Sequence, residues 1–502
     1  MMTNPEKIKR LYEILEKVET YSRVIGKMNF DMECCAPEEG LEQAGLDMAM
    51  LETQVHDWTH NEEYFALITG LNADREGLSP LENRLIDLLY DGYLREKNVS
   101  ADFAYRRSLA YNNAYAKWLE AKKKNDFSVF RDSFAELIDF TRAGIDLYDT
   151  KPTSYYNACL DVLEKGMTEE KLDAFFAAVK ARTVPLLARI VKEGKPIRRD
   201  FLTRKVPVPL QEKMSRAILR EEGLRESALS LMTTEHPFTD NYGPHDVRVT
   251  THYYEDAFVS NVFSTLHEGG HALFMQNEPA EFCRNHIYGE MTNAMHECVS
   301  RFYENLIGRS RAFIHSFYPT FREVGGDVFA DVTENELYEA VNIAEPSLIR
   351  MEADELTYSL HIMIRYEIEK AFVNGDITVD EVPALWNEKY KEYLGVDVPD
   401  DANGCLQDVH WSGSYGYFPS YALGNAYGAQ ILATMKKDFD VDAAVAGGEL
   451  TKVTDWMTKH VFNCASSQDP DAWIREITGE DLNPDYFLDY LEEKYTALYG
   501  LK

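Results

Sequence analysis

Positive charge is scarce in this chain of 502 residues: 52 Lys and Arg stand against 85 Asp and Glu, for a formal net charge of −33. Such a chain repels phosphate backbones, which argues against nucleic acid as a partner and leaves solubility as the plain reading of the acidic surplus. Cysteine is also sparse. The seven present (Cys34, Cys35, Cys159, Cys283, Cys298, Cys405 and Cys464) are odd in number and show no paired spacing. A disulfide framework and a Cys-type zinc site are therefore not expected. No apolar run approaches the ~20 residues that span a membrane. The opening stretch MMTNPEKIKRLYEILEKVETYS reads as a charged amphipathic helix, without the apolar core and small-residue cleavage site of a signal peptide. A cytoplasmic location is expected. Repeats, low-complexity tracts and long Pro/Gly/Ser linkers are missing as well, which favours one continuous body.

What the chain has is apolar residues in helical register. Hydrophobic residues make up 45%, enough for a sizeable core. Ile8, Leu11, Ile14, Leu15 and Val18 share one face of the first helix. Ser79-Pro80 announces another helix, as an N-cap followed by a favoured first residue. Helices are also expected in 132–149, 168–194 and 483–500. The exception is 236–260, where turn residues surround the β-branched run Val247–Thr251. A short strand or hairpin is expected there, either purely structural or offering an edge to an extended peptide. The expected fold is mainly α, with a small β element.

The stretch STLHEGGHALFMQ (264–276) carries the chemistry. His267 and His271 are four apart, which on a helix separates them by ~40° around the axis and ~6 Å along it, so both imidazoles reach one cation. Glu268 lies beside that cation, placed to take a proton from water. With 13 histidines, chance supplies roughly 0.03 H-E-x-x-H patterns in a chain of this length. Gly269 and Gly270 each cost about 1 kcal/mol against alanine in a helix interior. They make sense if substrate or a neighbouring backbone comes close.

A catalytic zinc needs a third protein ligand. The motif does not continue to a third histidine, because Phe274 and Asn277 stand where a longer H-E-x-x-H-x-x-G-x-x-H pattern needs Gly and His. The helical stretch Met291–Ser310 offers Glu297, with Glu290, Glu304 and His296 as rivals. Farther on, 347–370 reads as one long helix with Arg350, Asp354, Tyr358, His361 and Arg365 on one side. Arg350 and Asp354 there are either a surface pair or part of a groove. The stretch 404–425, dense in Gly, aromatics and hydroxyls, reads as an irregular loop.

Several ordered blocks resemble the carboxypeptidase Taq family of metallocarboxypeptidases. They are His236-Pro237-Phe238; Asp246, Arg248 and Thr250; His267, Glu268 and His271; His296-Glu297; Ile349, Arg350, Ala353 and Asp354; and Gly404, Gln407, Asp408, His410 and Trp411. The resemblance implies a mostly helical fold with a deep groove and a small β hairpin or sheet near the active site. One domain over 1–502 is expected, with 1–200 forming a helical wall or lid and 201–502 carrying the metal site and substrate motifs. It also implies a Zn2+ enzyme, with Co2+ able to substitute, that removes single residues from peptides with a free C-terminus, with broad specificity, as a homodimer.

Residue by residue, the resemblance assigns His267, His271 and Glu297 as metal ligands and Glu268 as the base. His410 and Tyr421 become oxyanion donors. Arg350, Arg248 and His236 become substrate-binding candidates, and Asp354 is expected to orient a metal-site histidine or an arginine. One departure stands out. The family usually has Ser or Gly after the ligand glutamate and a glutamine close by, whereas this chain has Cys298-Val299-Ser300. The support of Glu297, and with it the metal affinity, is expected to differ. A zinc oligoendopeptidase on the same scaffold, or a non-catalytic metal or peptide binder, is the alternative.

Overall fold

A computed structural model describes residues 2–502. Helices make up most of it, as their capping and periodicity lead one to expect. The first spans Asn4–Cys34 and buries Ile8, Leu11, Ile14 and Leu15. The Pro80–Glu96 helix starts at Ser79, whose Oγ accepts the Glu82 N–H (3.2 Å) while the Glu82 carboxylate accepts the Ser79 N–H (2.7 Å). That reciprocal box satisfies two otherwise unpaired donors.

Two hydrophobic cores are present. The smaller joins the first helix to Glu62–Ala73 and Pro80–Glu96 and takes in Phe282 and Ile287 from far along the chain. The larger gathers the apolar faces of the helices from Ala101 onward, together with the sheet.

The expected strand is there, and it has two partners. β1 (Leu229–Thr233), β2 (Thr239–Asn241) and β3 (Val247–Thr251) form a sheet in the order β1-β3-β2. β1 runs parallel to β3 (Leu229 opposite Val247), and β2 runs antiparallel to it (Thr239 opposite Val249). Val247 and Val249 are buried beneath the sheet, against the histidine helix Phe258–Asn277.

That helix buries 14 of its 20 residues and has no side-chain cap at its start. Tertiary packing, not local propensity, therefore sustains it. Its two glycines are where neighbours come closest. A Cβ at Gly270 would stand 2.8 Å from Ser300 Cα and 2.9 Å from the Val299 carbonyl, both on the helix Asn293–Arg301. A Cβ at Gly269 would stand 2.0 Å from the buried carboxylate of Glu222. A neighbouring backbone and a side chain occupy the space, in place of the substrate.

Three expectations need correction. The stretch 347–370 is not one helix. Arg350–Glu352 form a 3-10 turn, and the helix runs Glu355–Asn374 from an N-cap at Asp354. Asp354 accepts the N–H groups of Leu356 and Thr357 (3.0 Å each) and of Glu345 (3.1 Å). Its carboxylate is spent on backbone donors, so it orients neither a histidine nor an arginine. The stretch 404–425 is irregular only as far as Tyr417. Phe418–Asp438 is a buried helix, with Pro419 in its first turn where a missing N–H costs nothing. Its Gly424 lies against Glu297, where a Cβ would come within 2.9 Å.

Candidate metal centre and groove

The histidine helix presents His267 and His271 on one face, and the helix Asn293–Arg301 brings Glu297 to meet them. One donor atom from each of the three residues lies within 4.8 Å of the other two. His267 Nε2 is 3.8 Å from Glu297 Oε2. Its Nδ1 is held by Glu304 Oε2 at 2.9 Å, which leaves Nε2 facing the cluster. His271 Nδ1 meets His296 Nδ1 at 2.5 Å, so His271 likewise offers Nε2. Glu304 and His296, rivals for the third ligand by sequence, thus stand behind the two histidines. Glu290 is exposed and lies outside the group.

Glu297 is supported by the serine of the divergent segment. Ser300 Oγ donates to its carboxylate (3.2 Å) and its carbonyl (3.0 Å), and Arg301 Nε lies 3.6 Å away. Arg301 also reaches Glu304 (3.0 Å). Past this helix the chain continues as a π-helical turn, Phe302–Ile307, which carries Glu304 inward.

The electrostatics suit a cation. Burial, then the neighbouring His296, His267 and Arg301, hold the His271 imidazole neutral, well below its ordinary range. Burial works against a charge on His267 too, but the Glu304 hydrogen bond and the carboxylates of Glu297 and Glu304 overcome it and raise its pKa. Glu304 is held down to about 2: burial would raise it, but Arg301 and His267 prevail. The negative field that raises the His267 pKa equally attracts a metal ion. Two imidazoles and one carboxylate with borderline-soft and hard donors match a three-ligand catalytic zinc site.

Glu268, next to His267 in the same helix turn, is buried. Thr239 on β2 donates to its Oε2 (2.7 Å) and to its carbonyl (3.0 Å). Burial raises its pKa, against the pull of His267 and the Thr239 hydrogen bond. A carboxylate with raised basicity is suited to accept a proton.

Arg350, His410 and Tyr421 come together. The Arg350 guanidinium lies 5.3 Å from the Tyr421 ring centre, and His410 packs against Phe418 (4.4 Å) and Tyr417 (5.5 Å), with Tyr421 at 6.3 Å. Tyr358 links this group to the metal centre, lying between Arg301 (4.4 Å) and Tyr421 (6.3 Å). His410 Nδ1 is buried without a partner. Burial, with Arg350 next, brings its pKa down to about 4. Asp408 accepts from Arg350 (2.8 and 3.0 Å) through one oxygen and from Arg365 (2.6 Å) through the other. Tyr415 turns its hydroxyl to the Trp411 carbonyl (3.2 Å).

Arg248 and His236 are elsewhere. Arg248 pairs with Asp246 (2.9 Å) and stacks between Phe30 (5.1 Å) and Tyr242 (4.7 Å), where the first helix meets the sheet. His236 is exposed, and its carbonyl accepts from Thr234 (2.7 Å). Thr239 and Arg301 are partners that sequence reasoning did not single out, while Tyr358 and Ser300 were named in it without a role of their own. Only Thr239, just after the H-P-F block, carried a local hint.

The family model for the carboxypeptidase Taq (M32) metallopeptidases matches residues 10–495. The chain belongs to this family. It is 36% identical over 497 residues to carboxypeptidase 1 of Bacillus subtilis, covering 98% of this chain and 99% of that one. With thermostable carboxypeptidase 1 of Thermus thermophilus it shares 34% over 483 residues, 94% of each. The crystal structure of the M32 carboxypeptidase from Deinococcus radiodurans superposes with a TM-score of 0.95 at 30% identity, over 99% of this chain and 100% of that one. As an M32 member, the protein is a metallocarboxypeptidase; of the ordered blocks of its sequence, those at 267–271, 296–297, 349–354 and 404–411 supply residues to the two groups just described, while those at 236–238 and 246–250 lie elsewhere.

Proposed function

We propose that this M32 metallocarboxypeptidase holds zinc on His267, His271 and Glu297 and anchors the free C-terminus of a peptide at Arg350. The observation that carries the reading is an imbalance of charge. Arg350 and Arg365 are both buried and share one carboxylate, Asp408. His361, between them, is kept neutral by burial and by the two arginines. Burial pushes Glu369, the other buried carboxyl near Arg365, up to about 8, so one positive charge is left without a counterion, and a buried charge without a partner is costly. A peptide carboxylate completes it, in the forked geometry that guanidinium favours.

His267, His271 and Glu297 would hold a cation that, when bound, would supply Lewis acidity at the scissile carbonyl and acidify water. Glu268, steadied by Thr239, takes the proton of the attacking water and returns it to the departing amine. His410, neutral and without a partner on Nδ1, and Tyr421, whose pKa burial lifts well above its usual range, remain hydrogen-bond donors to the developing oxyanion. Arg350 fixes the register at one residue from the end.

The first helix reaches the sheet through Lys27–Asp246 (2.9 Å) and Tyr242 OH to the Gly26 carbonyl (2.9 Å), which supports residues 1–200 as a wall beside the site. Zinc as the native metal with cobalt as substitute, a homodimer and a cytoplasmic address complete the proposal. No described helix is long and apolar enough to cross a membrane.

Mass spectrometry of a peptide mixture after digestion tests the reading. Ladders shortened from the C-terminus, abolished by chelator and restored by zinc, are expected, with C-terminally amidated peptides resistant. Internal cleavage of amidated peptides would instead indicate an oligoendopeptidase.

A further inference from the structure

The helix that carries Glu297 begins without help from its own N-cap. Thr292 is in cap position but makes no side-chain cap bond, and its hydroxyl is buried without a partner. The second N–H of that helix, Ala294, donates instead to the Glu164 carboxylate, from 130 residues away. Glu164 closes the helix Tyr155–Leu163 and is only 1% exposed. Its other oxygen faces the Thr292 and Ser420 hydroxyls, and all three atoms are buried without a direct hydrogen-bond partner. Ser420 precedes Tyr421 at the start of Phe418–Asp438, the helix whose Gly424 lies against Glu297. One carboxyl group therefore touches the first turn of the ligand helix and borders the turn that bears Tyr421.

We propose that Glu164 is a positioning residue for the third metal ligand, fixing the ligand helix through the Ala294 N–H so that Glu297 stands three residues on, opposite His267 and His271. Orphan donors at a helix start need an acceptor, and a buried one without it costs free energy. Reach matters here more than charge. Burial lifts the Glu164 pKa to about 7, against the Ala294 hydrogen bond and the nearby Thr292 and Ser420 hydroxyls. The neutral acid still offers a carbonyl oxygen to Ala294.

Three variants separate reach from charge. Glu164→Gln keeps an acceptor at the same reach and drops the charge. Glu164→Asp keeps the charge one methylene short. Glu164→Met removes both and fills the space. Zinc dissociation constants are measured by competition with a chromophoric chelator, beside circular dichroism of the metal-free chains. Gln is expected within about threefold of the parent, while Asp and Met weaken zinc binding roughly 10–100-fold at unchanged helix content. Parent-like affinity in Asp and Met, or a loss in Gln with Asp unaffected, overturns the proposal. If Met does not fold, the Asp–Gln pair decides alone, and a Gln chain that does not fold also overturns it. The inference rests on Glu297 as a ligand, so Glu297→Ala is run in parallel. Parent-like zinc binding there removes both readings. Weakened binding there, with Asp and Met unaffected, removes only the role of Glu164.

Discussion

A single methyl group at Gly270 should loosen the metal more than it loosens the fold. In Gly270→Ala the new Cβ would stand 2.8 Å from Ser300 Cα, 2.9 Å from the Val299 carbonyl and 3.2 Å from Ser300 N. These are backbone atoms of a buried helix and cannot rotate aside. Ordinary carbon contacts are about 3.5–4.0 Å, so the two helices must part by roughly 0.7–1.2 Å. Overpacking of this kind costs about 1–3 kcal/mol. Replacing a helical glycine by alanine returns about 1 kcal/mol. The net loss of stability is then roughly 0–2 kcal/mol. Glu297 rides on the displaced helix, and metal sites tolerate only about ±0.2 Å in ligand distance. Zinc affinity should fall by roughly tenfold or more.

Gly269→Ala is the contrast. Its Cβ would meet Glu222 Oε2 at 2.0 Å, a side chain that holds no metal ligand. Glu222 is buried with both oxygens unpartnered, so displacing it costs stability while His267 and Glu297 keep their relation. Chelator competition for zinc and thermal unfolding of the metal-free chains measure the two effects. Parent-like zinc affinity in Gly270→Ala, or a larger metal loss in Gly269→Ala, would refute the reasoning.

Thr239→Val keeps the shape but deletes the donor to Glu268. Burial already raises the Glu268 pKa and the Thr239 hydrogen bond lowers it, so its loss raises the value further and leaves less carboxylate at a given pH. The acid limb of the kcat/KM profile should move to higher pH; a stationary limb would detach Thr239 from the base. Arg350→Ala should cost roughly 2–5 kcal/mol in kcat/KM on peptides with a free C-terminus. A comparable loss in Arg248→Ala, measured on the same peptides, would move the carboxylate anchor to β3. His410→Ala should lower kcat roughly 10²–10³-fold with KM little changed. Because the His410 pKa lies at about 4, it should set no limb of the pH profile above pH 5.

The candidate metal centre was legible because the spacing of its histidines is local. His267 and His271 declare themselves on one helix, and a β-branched run declared β3. β2 has only three residues, and β1 pairs in parallel across a long connection, so neither left a readable pattern. Asp354 was read as a helix-interior residue, although an aspartate before an apolar run is also an N-cap signal. Gly424 and Pro419 suggested a loop; the proline belongs to a first helical turn, and the glycine answers to Glu297 on another helix. Thr239 with Glu268, Ser466 with Glu278 and Glu164 with Ala294 join segments 29, 188 and 130 residues apart. No periodicity of a single element records such pairs. They exist only once packing has buried polar groups that then need partners.

The most direct measurement is turnover and metal content of Glu268→Gln in one preparation. In the proposed mechanism Glu268 is the one group of the centre that moves a proton without holding the ion. Metal analysis should find the cation at parent-like stoichiometry, while release of C-terminal residues, followed by mass spectrometry, should fall by roughly 10²–10⁴-fold or vanish. Undiminished release from the metal-loaded variant would contradict Glu268 as the base and the chemistry built around it.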